Sequence, residues 1–215
     1  MTDRHDTRPH PHNDVAAIHL AIPGDRRPSI CHVAATSDGN LSPQLARLIL
    51  DAHTRVGDVA LDIDDDVAFA AAAAQAGRRH HALGGTQHLA TMGHAAGYID
   101  LILLHWPRLA VNSRLLLLAC RALLRDAGVL AVAASVESDQ RISQLSALSG
   151  AAASAGLYLI DHITGVDPAT ETATPVVAPS DAASQRTDFA TVVGATQLPV
   201  PHTDLLVFSP YGGVR

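Results

Sequence analysis

The chain has 215 residues, 47% apolar and 17% charged, a composition that supports one packed core and excludes wholesale disorder. Its formal net charge is -6, from 21 acids against 15 bases, which argues against tight nonspecific binding to DNA because that rests on neutralising phosphates. No apolar run reaches the ~20 residues that cross a bilayer, and two cysteines, Cys31 and Cys120, make neither a disulfide framework nor a zinc cluster.

Residues 1–14 read as a polar tail carrying His5, His10 and His12 among Arg, Pro and Asp. Their spacing matches no usual metal-ligand pattern, and the stretch does not resemble a secretory signal. A cytoplasmic setting without a membrane is the expectation. Val15–Ile22 and Ile30–Thr36 are short apolar runs bounded by Pro-Gly and Asp-Gly turn signals, which suits strands. Ser42 as N-cap and Pro43 at the first helical position then predict a helix to about His53, with Leu45, Leu48 and Ile49 at helical spacing.

Gly57-Asp58 marks a turn before a buried strand, Val59–Ile63. Asp64-Asp65-Asp66 follow at once and open an alanine-rich helix from Val67 to Ala76, closed by Gly77; acids in a first turn favour the helix dipole. A short strand, His80–Leu83, ends in Gly84-Gly85, and Thr86–Ala96 reads as a helix. Ile99–Leu104 is a strongly apolar strand ended by His105-Trp106-Pro107. Asn112 caps a Leu-rich helix to Arg125, on which Arg121 and Arg125 share a face; Asp126-Ala127-Gly128 turns into a strand, Val129–Ala134. Ser138 caps a further helix ended by Gly156, and Leu157–Ile163 is a strand. Residues 165–202, rich in Thr, Ala, Pro and Ser, predict a long loop with a possible strand at Ala190–Val193, before a last strand, Leu205–Phe208.

Strands alternating with helices predict a mostly parallel α/β sheet with helices on both faces, in one domain over residues 15–215. Ligands in such sheets sit beyond the carboxyl ends of the strands where strand order reverses. That directs attention to Asp62–Asp66 and to His105–Arg108. The acid cluster lacks the Asp-x-Asp-x-Asp-Gly spacing of a calcium loop, and it serves equally as a negative helix N-terminus. With four carboxylates so close, at least one is expected to titrate above an ordinary Asp. His80-His81, His88 and His94 do not share a helix face, so no metal site is assigned. No nucleophile elbow and no phosphate-binding Gly-Lys-Ser/Thr loop is present.

From Leu41 onward, the Pro-Gln-Leu-Ala helix, Gly57-Asp58, the strand ending in Asp62, the Ala run, Gly77-Arg78-Arg79 and the strand Ile99-Asp100-Leu-Ile-Leu-Leu-His105-Trp106-Pro107 stand in a familiar order. That order resembles the DNA amino-methyltransferase family, which methylates exocyclic amines of adenine or cytosine with S-adenosylmethionine. The resemblance spans roughly residues 40–210 and implies a class I methyltransferase-like, Rossmann-like fold. By position it implies Asp62, Asp64, Asp65 and Asp66 beside the cofactor, and His105, Trp106 and Pro107 at the target amine, with Trp106 available to stack on a base.

The departures are specific. The family's loop after the first strand is glycine-rich, whereas Ile63-Asp64-Asp65-Asp66-Val67-Ala68 has no glycine. The family's ribose-binding acid falls near Gly84-Gly85, which carry no side chain. Of the family's Pro-Pro-aromatic motif only the second Pro, Pro107, survives. Two readings follow: a non-catalytic relative that keeps the scaffold for binding or oligomerisation, or a working methyltransferase acting on DNA or a small molecule. No separate DNA-reading domain is visible, so DNA recognition would fall to residues 1–40 and 165–202 or to a protein partner.

Overall fold

The computed structural model describes residues 29–32, 41–108, 111–135, 140–166 and 202–211. The expected tail over residues 1–14, the strands at 15–22 and 190–193, the cap at Ser138 and residues 167–201 of the expected loop lie outside these.

The local signals act as their chemistry dictates. Strand β1 is Ser29–His32, and helix α1, Pro43–His53, starts where Ser42 Oγ accepts the Leu45 N–H at 3.2 Å. It buries Leu45, Ala46, Ile49 and Leu50. Strand β2, Val59–Asp62, leads into α2, Val67–Gln75, capped by Asp66, whose carboxylate accepts the Phe69 N–H at 2.8 Å. Strand β3 is Arg79–Ala82.

Thr86–Ala95 departs from the expected α-helix and is 3-10 instead. Its apolar residues explain this: Leu89, Met92 and Ala95 pack on the core and recur every third position, which lines up on one face only at three residues per turn.

Strand β4 is Ile99–Trp106 and helix α3 is Ser113–Leu123, with Asn112 Oδ1 accepting the Leu115 N–H at 3.1 Å. The helix ends two residues before Arg125, so the expected Arg121/Arg125 helix face does not exist. Arg125 belongs to β5, Leu124–Ala134, and its Nε lies 2.5 Å from Asp100 Oδ1. The expected turn at Asp126-Ala127-Gly128 is an interruption within β5: Ile99 pairs with Leu124 but Leu101 pairs with Val129. Helix α4 is Arg141–Ser154, β6 is Tyr158–Val166 and β7 is His202–Ser209. The two last strands extend into both ends of the expected 165–202 loop.

The seven strands form one sheet in the order β1-β6-β7-β5-β4-β2-β3, parallel except for β7, which is antiparallel to β5 and β6. One buried layer joins the sheet to α1 and α2 through Leu45, Ile49, Phe69, Leu103 and Val207. The other joins it to the 3-10 segment, α3 and α4 through Leu89, Leu117, Cys120, Leu145 and Phe208. From β2 the chain steps outward to β3, then returns to β4 on the other side of β2. The reversal of strand order therefore falls between β2 and β4, and the crevice of such a sheet opens at their carboxyl ends. No helix of the described residues is long and apolar enough to cross a membrane.

Candidate functional site

Asp62 and His105 meet this crevice from β2 and β4, and the loop between β2 and α2 wraps around Asp62. The Asp62 side chain is fully buried. Its Oδ1 accepts the N–H groups of Asp64 and Asp65, each at 3.0 Å, and its Oδ2 accepts the Asp66 N–H at 2.6 Å. A four-residue loop without glycine thus closes on one carboxylate, and Asp65 takes the left-handed conformation (φ 62°) that glycine adopts more easily. His80 Nε2, from β3, lies 3.5 Å from Asp62 Oδ2.

The other acids are also committed. Asp66 Oδ2 accepts the Leu41 N–H at 2.7 Å and stands 3.0 Å from His105 Nε2, while Oδ1 caps α2. Asp64 Oδ2 accepts the His105 N–H at 2.7 Å, and its Oδ1 pairs with the Arg108 guanidinium. Only Asp65 is exposed, and among the described residues its carboxylate has no partner.

These environments pull the carboxyls in opposite directions. Burial pushes the Asp62 carboxyl up, against the Asp66 N–H and His80, while the neighbouring Asp66 carboxylate, the kind of cause expected from the cluster, adds least. Burial also raises Asp66, but hydrogen bonds from His105, Leu41 and Phe69 outweigh it and hold this carboxyl below its ordinary value.

At the end of β4, His105 turns toward the α1–α2 layer. Trp106, one residue on, packs half-buried against the opposite layer, as strand alternation requires. The Trp106–Pro107 peptide is cis. The three residues expected at a target amine are therefore split between the two faces: His105 serves the Asp66 carboxylate, and Trp106 serves the core. Gly84 (φ 64°) and Gly85 (φ 141°) follow β3 and present no side chain to the crevice.

A second polar cluster lies on the same edge, two strands further along, because Trp106 pairs with Ala134 and Ala134 with Asp204. Asp204 Oδ1 accepts from His162 Nε2 at 2.9 Å, Thr164 Oγ1 at 3.0 Å and Arg141 Nη2 at 2.5 Å, while Oδ2 accepts from Arg141 Nε at 2.6 Å. Burial raises this carboxyl, but its bonds with His162 and Arg141 win and hold it far below the usual carboxylate range. Sequence reasoning did not single out Asp204, His162, Arg141 or the role of Arg108. No spacing announces them, since Asp204 comes from β7, His162 from β6, Arg141 from α4 and Arg108 from the segment after β4. Among the described residues no group of three or more His, Cys, Asp or Glu is arranged to hold a metal ion.

No protein-family model and no curated protein sequence matches the chain. Solved structures do. A geranyl diphosphate methyltransferase in complex with SAM superposes with a TM-score of 0.50 at 11% identity, covering 80% of this chain and 86% of that one. The geranyl diphosphate C-methyltransferase of Streptomyces coelicolor A3(2) gives a TM-score of 0.50 at 13% identity, over 80% of this chain and 78% of that one. The fold is that of the class I methyltransferases. On this methyltransferase fold, the tip of β2 and the end of β4 are the edge where a ligand is expected. The likeness carries no DNA-acting type, so the finer resemblance to DNA amino-methyltransferases is not supported by it.

Proposed function

We propose that this chain keeps the class I methyltransferase scaffold without the transfer chemistry and serves as a binding or scaffold domain. The observation that supports this reading most is the closed carboxylate knot at the tip of β2. A nucleoside cofactor lying across that tip needs free main-chain N–H groups and a backbone it can approach closely. Here the N–H groups of Asp64, Asp65 and Asp66 all donate to Asp62. Asp64 and Asp66 are themselves taken up by Arg108, His105 and Leu41. The residues present therefore do not fit S-adenosylmethionine: the loop's main-chain N–H groups are already spent on Asp62, and Gly84-Gly85 offer no acid for ribose hydroxyls.

The expected result is that neither S-adenosylmethionine nor S-adenosylhomocysteine, at millimolar concentration, gives heat in titration calorimetry or raises the melting temperature. Micromolar binding of either would overturn the proposal. It would favour an active enzyme instead, methylating an exocyclic amine of a DNA base or a small molecule, in which His105→Ala lowers transfer while binding persists.

A further inference from the structure

The 3-10 segment, α3 and α4 form one layer over the sheet, with α3 packed against both of its neighbours. In a chain of net charge -6, none of these three elements contains an Asp or a Glu. The cations on this layer are Arg114 and Arg121 of α3, and Arg141 of α4, which is committed to Asp204. Among the described residues neither Arg114 nor Arg121 is paired with an acid.

The outer side of α3 is also apolar. Leu115 is 63% exposed and Leu118 is 37% exposed. With exposed Ala122, they follow at i, i+3 and i+7, one continuous ridge on a helix. Arg114 and Arg121 both flank the same side of that ridge, being seven residues apart. The opposite side of α3, with Leu116, Leu117, Cys120 and Leu123, is the buried one. Arg121, in the last turn, complements the helix dipole, but Arg114, in the first turn, opposes it, and the exposed leucines leave apolar area in water.

We infer that the outer face of α3 docks an acidic amphipathic helix of a partner protein, with Leu115 and Leu118 against its apolar side and Arg114 and Arg121 against its carboxylates. Charge complementarity selects this occupant. A second copy packed α3 to α3 would set Arg against Arg, with no acid in the layer to relieve it. Duplex DNA would meet only two unpaired cations here, too few to neutralise a backbone tract. An anionic bilayer would meet a short, 11-residue helix exposing two leucines, little surface to insert. The surface is separate from the tip of β2, so this inference stands or falls independently of cofactor binding.

The test uses the full chain and a fluorescein-labelled amphipathic helical peptide with Leu at i, i+3, i+4 and i+7 and Glu on its other face, read by anisotropy. A matched peptide with Lys for Glu is the control. The acidic peptide is expected to bind, more weakly as salt rises, and the Lys peptide not to bind. Arg114→Glu with Arg121→Glu is expected to weaken binding about tenfold, and Leu118→Ser about fivefold. Both variants should keep the wild-type circular dichroism; Arg121 is half-buried in the last turn and Leu118 is 37% exposed, so a modest fall in melting temperature is expected and binding is compared where each variant is fully folded. The inference is overturned if the acidic peptide does not bind, if both peptides bind equally, or if the charge-reversed variant binds as well as wild type. It is likewise overturned if these substitutions instead abolish binding to duplex DNA, binding to phosphatidylglycerol vesicles, or concentration-dependent dimerisation.

Discussion

His105 Nε2 stands 3.0 Å from Asp66 Oδ2, so the end of β4 is tied to the cap of α2 across the crevice between β2 and β4. The same carboxylate accepts the Leu41 N–H ahead of α1 and the Phe69 N–H inside α2. One buried side chain therefore joins three elements. Asp66→Ala removes the cap and leaves the Leu41 N–H without its acceptor. It is expected to destabilise the fold by about 2–3 kcal/mol in urea denaturation. Asp66→Asn, which keeps an oxygen to cap the helix, should cost visibly less, and equal losses from the two variants would contradict the assigned role.

Asp65 is exposed and sits at φ 62° in the tightest part of the same loop. Its neighbours hold the knot, while its own carboxylate has no partner among the described residues. Glycine takes this conformation without the Cβ penalty, though it adds freedom to the unfolded chain. Asp65→Gly is thus expected to leave stability within about 1 kcal/mol of wild type. A loss of several times that in the same denaturation experiment would show that the side chain has a structural duty.

Acid sensitivity should arise from Asp204 and Asp66. Both carboxyls are held below their ordinary value in the folded chain, so their stabilisation is complete above that value and is lost as pH falls through the folded one. Asp62, raised by burial, works the other way: its contribution declines as pH climbs from the ordinary carboxylate value to its raised one. Asp204→Asn leaves Arg141 without its counter-charge and is expected to cost about 3 kcal/mol near neutral pH. The difference from wild type should shrink as the solution is acidified. A constant difference across the acid range, measured by urea midpoints, would exclude the linkage.

Gly128 is where β5 rejoins β4 after the interruption. A Cβ there would lie 2.8 Å from the Ile99 carbonyl oxygen and 3.1 Å from those of Arg125 and Asp100, all main-chain atoms that cannot swing away. Gly128→Ala is expected to destabilise by about 1–3 kcal/mol through overpacking. Thermal unfolding at the wild-type temperature would show that the strand ends can move apart freely.

Much of the fold was legible because its signals act over a few residues. Ser42-Pro43 and Asn112 mark two helix starts, and both side chains make the capping bond; the Asp64–Asp66 run marks a third, but with Asp66 as a cap ahead of the helix rather than with acids in its first turn. The missed boundaries have physical causes. The Leu-rich run after Asn112 predicts a helix to Arg125, but the helix ends at Leu123, and Leu124, buried in the same core, already belongs to β5. The sequence predicts a helix over Thr86–Ala96, and the third-position repeat of Leu89, Met92 and Ala95 is the 3-10 spacing found over Thr86–Ala95.

The candidate site was legible only as a place. Alternating elements and the reversal of strand order direct any reader to Asp62–Asp66 and His105–Trp106, since both follow from patterns along the chain. What those residues do was decided by tertiary structure alone. Asp66 and His105 are 39 positions apart, and Asp64 and Arg108 are 44 apart; they meet because β2 and β4 are hydrogen-bonded neighbours. A buried carboxylate takes whichever donors the packing brings to it, and packing is a property of the sheet order, which no local stretch of sequence contains.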